Sequence, residues 1–100
     1  MLQVRLHALT QKSFDQFKTD LDRAVEASFA AALMTRKWSD RTLHIHTAAP
    51  TTSGVIRYEM GGVYAEFQIS WPGIPMKDLI IKESRRILAT ATGSLVTRWP

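Results

Sequence analysis

Two alternating segments on either side of Gly61-Gly62 constrain the fold of this 100-residue chain more than any other feature. Each segment alternates apolar and polar residues, which is typical of a strand with one buried face. A two-residue glycine loop favours a type I′ turn, so the two segments predict a β-hairpin. The apolar positions of the hairpin are Ile56, Tyr58, Met60, Val63, Ala65, Phe67 and Ile69.

The register of the hairpin follows if the two glycines form its loop. Met60 then pairs with Val63, and the apolar residues of both segments lie on one face. On the other face Arg57 lies opposite Glu66, which favours a cross-strand ion pair. The pairing therefore predicts one face for a core and one for solvent.

A strand and a long helix are predicted ahead of the hairpin. Apolar and polar residues alternate from Leu2 to Leu6, as in a half-buried strand. Ser13 can cap a helix that runs to about Met34, because apolar residues recur there at three- and four-residue spacing. The polar residues at 37–41 then predict a turn.

A short strand, a loop and a second helix complete the predicted elements. Leu43 and Ile45 alternate with histidines, and residues 48–54 predict a loop because they are small, polar and contain a proline. The second helix begins near Pro75 and stops at Gly93, with its apolar residues on one side. Elements of both types therefore follow one another along the whole chain.

The element order is β-α-β-β-β-α, which predicts a single α+β domain over residues 1–92 and a tail over 93–100. We expect an antiparallel meander sheet with two helices packed on one face. The apolar residues of the tail either dock on the domain or await a partner. The other sheet face would be open and would carry Arg5, His7, His44, His46, Arg57, Glu59, Tyr64, Glu66 and Gln68.

The composition excludes several kinds of site. The chain has no cysteine, which excludes a disulfide framework, a thiolate zinc site, an iron–sulfur cluster and a cysteine nucleophile. No apolar run approaches the roughly 18 to 20 residues of a membrane span, and the N-terminus does not have the pattern of a targeting segment. We therefore expect a cytoplasmic protein with no membrane span.

No complete catalytic or metal-binding pattern is present in the sequence. His44 and His46 are two residues apart on a predicted strand and point the same way, but two ligands are insufficient for a closed metal site. His7 would join them only if the first two strands are neighbours. No serine has the glycine spacing of a nucleophile elbow. We expect no catalytic residues, no metal and no cofactor.

Binding of RNA or DNA is an alternative that the basic residues leave open. The net charge is +4, and the predicted architecture resembles several RNA-binding α+β domains. Acidic residues interrupt these surfaces, and no dedicated basic arm is present. The candidate residues for this function are Arg57, Lys82, Arg85 and Arg86.

Short motifs follow one another along residues 1–92 in an order typical of one protein family. A histidine-containing strand leads through a helix to a tryptophan, then to a Leu-His strand, a Ser-Gly pair, the hairpin and a closing amphipathic helix. The positions that carry this pattern are His7, Trp38, Leu43, His44, Ser53 and Gly54. In these motifs the chain resembles the family of small polyhydroxyalkanoic acid system proteins.

The resemblance implies a small, bacterial, cytoplasmic protein associated with storage-polyester granules or their regulation. It carries over no catalytic residues, so we expect a non-enzymatic accessory protein that binds a protein partner or the granule surface. A homodimer through the open sheet face and a small-ligand carrier with a pocket between helices and sheet are alternatives. The candidate partner-binding residues are Arg5, His7, His44, His46, Arg57, Tyr64 and Trp99.

Overall fold

The computed structural model describes residues 2–28, 31–48, 51–70 and 74–98. Short 3₁₀ helices at Ala31–Leu33 and Ile74–Met76 precede the second strand and the second α-helix. The remaining elements are β1 (Leu2–Leu9), α1 (Phe14–Glu26), β2 (Met34–Ser39), β3 (Thr42–Ala48), β4 (Thr51–Glu59), β5 (Gly62–Ile69), α2 (Lys77–Thr92) and β6 (Val96–Arg98).

The six strands form one sheet in the order β2-β3-β4-β5-β1-β6, and all neighbouring strands are antiparallel. Both helices pack on the same sheet face, where alternate strand residues are buried against them. The predicted α+β fold is therefore confirmed. The structure adds β2 and β6, which extend the predicted meander at its two edges.

The core lies between the sheet and the two helices. From the sheet, Leu6 and Ile56 are almost fully buried; from the helices, Phe17, Leu21 and Leu88 meet them. Burial of these large apolar side chains contributes most of the stability of a domain of this size. Both helices present their apolar stripes to the sheet, as their spacing predicted.

The prediction that the first helix continues to Met34 is wrong, because α1 ends at Glu26. The N–H of Ala27 bonds to the carbonyl of Arg23 and closes the last turn. Met34 begins β2, which pairs with β3. Residues predicted as helix and turn thus form an edge strand, since strand pairing and packing override local helix spacing.

The predicted hairpin is present, but its predicted loop is wrong. Glu59 pairs with Gly62, so the loop is Met60-Gly61, and Arg57 lies opposite Tyr64 instead of a glutamate. Gly61 has φ +81°, which suits glycine, and its carbonyl accepts a hydrogen bond from Thr10. The shift of two residues keeps each side chain on its predicted face.

The predicted loop at 48–54 is also wrong over most of its length. Strand β4 begins at Thr51 and pairs with β3, with Thr52 opposite Thr47 on the helix-facing side. Threonine is β-branched and fits a half-buried strand, which explains the extension. At the C-terminus, β6 pairs with β1 over three residues, so this part of the predicted tail docks on the domain.

Candidate functional site

The predicted sheet face away from the helices is present, and two of its side chains lie against Tyr64. The rings of His7 and Tyr64 have centroids 4.7 Å apart, and the guanidinium carbon of Arg57 lies 5.6 Å from the Tyr64 ring centroid. Arg5 Nε lies 3.6 Å from a carboxylate oxygen of Glu66. The described strands place these candidates on the face away from the helices: Arg5, His7, His44, His46, Arg57 and Tyr64.

The three histidines do not form one cluster. His44 and His46 lie on β3, whereas His7 lies on β1, three strands further along the sheet. At about 4.8 Å between neighbouring strands, this places His7 roughly 14 Å from the other two. Among the described residues, no group of three or more histidine, aspartate or glutamate side chains is arranged to hold a metal ion.

The nucleic-acid candidates lie on two separate surfaces. Arg57 projects from the open sheet face, whereas Lys82, Arg85 and Arg86 belong to α2, on the opposite side of the sheet. Arg86 also forms an ion pair with Glu83 of the same helix. The structure therefore does not bring these cations together, and Trp99 lies outside the described residues.

Lys37 is a further cation of the open face that the sequence prediction missed. It lies on β2 opposite His44, and its side chain is exposed. Because residues 37–41 are predicted as a turn, the pattern does not assign Lys37 to the sheet, although Met34 and Trp38 alternate with polar residues. The alternation is weakened by Arg36, which faces the helices and lies 2.9 Å from Glu26 in an ion pair.

An apolar cavity of about 150 Å³ lies on the helix side of the sheet. Its floor is formed by Ile45, Ile56 and Phe67 of β3, β4 and β5. One wall is the N-terminal half of α2, and the other is the end of α1 with the start of β2. The cavity is the feature of the described residues that most resembles a ligand site, since such sites are concave and mostly apolar.

The mouth of the cavity is apolar as well. Leu33, Met76 and Leu79 line it and are 55%, 43% and 45% exposed. Three large apolar side chains that meet solvent at one opening are unusual, because burial of such groups is favourable. We call these three residues the apolar rim.

Few polar residues line the cavity, and the hydroxyl of one of them is buried without a partner. Ser84 donates from its hydroxyl to the carbonyl of Ile80 at 2.7 Å, and Glu83 pairs with Arg86. Thr52 is only 6% exposed, and its Oγ1 is the one buried side-chain polar atom of the described residues without a hydrogen-bond partner. A buried hydroxyl in this condition is uncommon, since most are hydrogen-bonded.

The early end of α1 explains why the cavity exists. The helix has 13 residues and spans roughly 20 Å, whereas the nine-residue strand β4 spans roughly 30 Å. Val25 and Ser28, at the end of α1, line the cavity. Among the described residues, the helix layer is thus incomplete above one end of the sheet. Because the sequence pattern predicted a longer helix, it gave no indication of this gap.

The lining of the cavity carries little charge. Of the described residues that line it, none is a lysine, arginine or histidine, and Glu83 is the single charged side chain. The three histidines lie on the other side of the sheet, so none of them can activate Ser28, Thr52 or Ser84 here. Such a lining can hold an apolar molecule.

Comparison with known proteins adds no relative. No family model matches the chain, and no curated protein matches it. Within the described part of the chain, neither helix is long and apolar enough to cross a membrane.

Proposed function

We propose that this protein is a non-enzymatic binding protein that holds a small apolar molecule in the cavity beside α2. The observation that carries the proposal is the continuity between the cavity and the apolar rim of Leu33, Met76 and Leu79. A cavity of about 150 Å³ is large enough to hold a benzene-sized molecule. The rim then provides an apolar path from solvent to the floor.

The energetic cost of the cavity supports the same proposal. Empty apolar volume costs roughly 24 cal/mol per Å³, so a closed cavity of this size would cost about 3–4 kcal/mol. The figure is an upper value because this cavity is open. Small domains have only about 5–15 kcal/mol of stability, so a cost of this order is a large fraction of the total. A bound ligand would offset it.

The proposal is tested by filling the cavity from a half-buried wall position. Ser84→Met places a longer apolar side chain into the space, and Thr90→Met introduces the same residue on an exposed part of α2 that does not line the cavity. Benzene, which matches the volume of the cavity, serves as the probe in an NMR titration. We expect saturable binding to the natural chain and to Thr90→Met, and at least about tenfold weaker binding to Ser84→Met.

Two results would count against the cavity as a binding site. One is no saturable binding of the probe to the natural chain. The other is equal binding to both methionine variants, which would place the probe elsewhere. Methyl resonances of Ile45, Ile56 and Ile87 provide a direct check, because these side chains line the cavity and should shift on titration.

The biological setting is proposed on the sequence resemblance alone. The motifs of residues 1–92 support a role as an accessory protein of the polyhydroxyalkanoate system, acting on a protein partner or the granule surface. Co-sedimentation with purified polyester granules tests this role, with a chain shortened at residue 92 beside the full chain. No enrichment over an inert protein of similar charge would remove it.

A further inference from the structure

We propose that the ligand of this cavity is an amphiphile with a linear alkyl chain, which enters with its methyl end first and leaves its polar head group in solvent. The proposal rests on the proposed function and names the class of ligand and its orientation. The class comprises alkyl chains of more than about six carbons that carry an alcohol, an acid or an amine at one end.

The polar residues of the lining offer little to a ligand. Ser84 donates its hydroxyl to a carbonyl of its own helix at 2.7 Å, and Ser28 and Thr47 have partners of their own. The Oγ1 of Thr52 has almost no accessible surface, so a ligand in the cavity does not reach it. Almost all of the surface that the described lining presents to the cavity is apolar. Because a buried polar group without a hydrogen bond is costly, the enclosed part of the ligand is hydrocarbon.

A charged head group would be unfavourable inside the cavity. Glu83 is the single charged residue of the described lining, and its carboxylate is paired with Arg86. A carboxylate head group would lose its hydration there without gaining a cation. An ammonium head group would lose its hydration for an anion that already has a partner. The head group therefore stays at the mouth, where water solvates it and its charge has little effect on affinity.

The apolar rim favours an alkyl chain over a compact ligand. A volume of about 150 Å³ encloses about six heavy atoms of the ligand. A molecule of that size would leave Leu33, Met76 and Leu79 exposed at the mouth. A longer chain continues between Leu33 on one side and the first turn of α2 on the other, and it covers these side chains.

A series of 1-alkanols measures the length of chain that the site holds. The 100-residue protein is titrated by NMR with 1-butanol, 1-hexanol and 1-octanol at neutral pH, and benzene serves as a probe of the cavity alone. A fully buried methylene strengthens binding by up to about fourfold. We expect about threefold to fourfold per methylene up to 1-hexanol, and about twofold per methylene from there to 1-octanol, since the rim covers the chain only in part.

Octanoate and octylammonium test whether the head group stays in solvent. They share the chain of 1-octanol and differ from it in charge. We expect the three dissociation constants to lie within about threefold of one another at about 0.15 M salt, which screens exposed charges. Intermolecular nuclear Overhauser effects give the orientation directly. The terminal methyl group should contact Ile56 of the floor, and the methylene next to the head group should contact Leu79 of the rim.

Two leucine variants separate the rim from the cavity. Leu79→Gln makes the rim polar and keeps a residue that favours helix, whereas Leu95→Gln makes the same change at a leucine that is 90% exposed and does not line the cavity. We expect Leu79→Gln to weaken 1-octanol binding by about threefold to fivefold and to leave benzene binding within about twofold. Leu95→Gln should change neither. Equal effects of the two variants on 1-octanol would show that the chain does not pass the rim.

The outcomes distinguish this proposal from the function on which it rests. If benzene binds and affinity does not rise from 1-butanol to 1-octanol, the alkyl class is wrong and the binding cavity stands. A preference of more than about tenfold for one head group would place that group inside and overturn the orientation. If neither benzene nor any of the alkanols binds the natural chain, the proposed function itself fails.

Discussion

The ring of Phe67 occupies the space above Gly54, and this contact shapes the floor of the cavity. The two residues are paired across β4 and β5. A β-carbon built on Gly54 would overlap Cδ1 of Phe67 and lie 2.7 Å from the carbonyl oxygen of Glu66. Gly54 is therefore required by close approach, although its backbone is ordinary extended strand. Any larger residue there must move the ring that lines the cavity.

We expect Gly54→Ala to lower the free energy of unfolding by about 1–3 kcal/mol, because the added methyl group overpacks a contact between two strands. It should also weaken probe binding, since the displaced ring of Phe67 belongs to the cavity floor. Urea unfolding and the benzene titration measure the two effects. Gly62→Ala is the matched control, because its β-carbon would be 3.3 Å from Nε2 of His7, a side-chain atom. Equal losses in both variants would contradict the explanation.

Trp38 anchors edge strand β2 to helix α1 through Asp22. Its indole Nε1 donates a hydrogen bond to Oδ1 of Asp22 at 3.0 Å. We expect Asp22→Ala to lower the free energy of unfolding by about 1–2 kcal/mol, because it leaves a partly buried N–H without an acceptor. Circular dichroism in urea measures this loss. In a double-mutant cycle with Trp38→Phe the two losses should be less than additive, and full additivity would show that the bond contributes nothing.

Local patterns predicted the faces of the sheet better than the ends of its elements. Alternation placed Tyr64 and Arg57 on the open face, because a side-chain period of two holds wherever a strand continues. The same period could not distinguish a loop at Met60-Gly61 from one at Gly61-Gly62, since a shift of two residues preserves both faces. The choice depends on the left-handed Gly61 and its bond from Thr10, which is a contact between distant segments.

The cavity could not be predicted from the sequence, for a related reason. Its existence depends on where α1 stops, and the apolar spacing up to Met34 continues past the true end at Glu26. The ion pair of Arg36 with Glu26 joins the following strand to the last residue of the helix, a contact between segments that apolar spacing does not indicate. Thr52 was predicted to lie in a loop, so nothing in the pattern indicated that its hydroxyl is buried.

Asp20 gives the protein a pH-dependent contribution to stability. Hydrogen bonds from Lys12 and Gln16 hold the pKa of its carboxyl below the ordinary value of 3.8. A lowered folded-state pKa means that the contribution is present above about pH 4 and disappears as the pH falls through the folded-state pKa. We expect the difference in unfolding free energy between the natural chain and Asp20→Asn to shrink on acidification below that range. Urea unfolding across the acid range measures it.

A matched background identifies the partner responsible for this pH dependence. The Lys12 ammonium lies 2.8 Å from Oδ2 of Asp20 and makes the largest contribution to the lowered pKa. In a Lys12→Met background, replacing Asp20 with asparagine should therefore change the pH dependence much less. An unchanged dependence in that background would assign the effect to other groups.

Two buried threonines should respond in opposite ways to the same substitution. Thr92 is 3% exposed, and its Oγ1 donates to the carbonyl of Leu88 at 2.8 Å and accepts from the N–H of Ser94 at 3.3 Å. Thr52 is buried to a similar degree without a partner for its hydroxyl. We expect Thr92→Val to lower the free energy of unfolding by about 1 kcal/mol and Thr52→Val to raise it by a similar amount in the absence of ligand.

Urea unfolding of both variants beside the natural chain measures this contrast. Each variant exchanges the same hydroxyl for the same methyl group in a buried position, so the difference between them isolates the effect of the hydrogen-bond partners. If Thr52→Val destabilises the protein as Thr92→Val does, the hydroxyl of Thr52 has a structural partner.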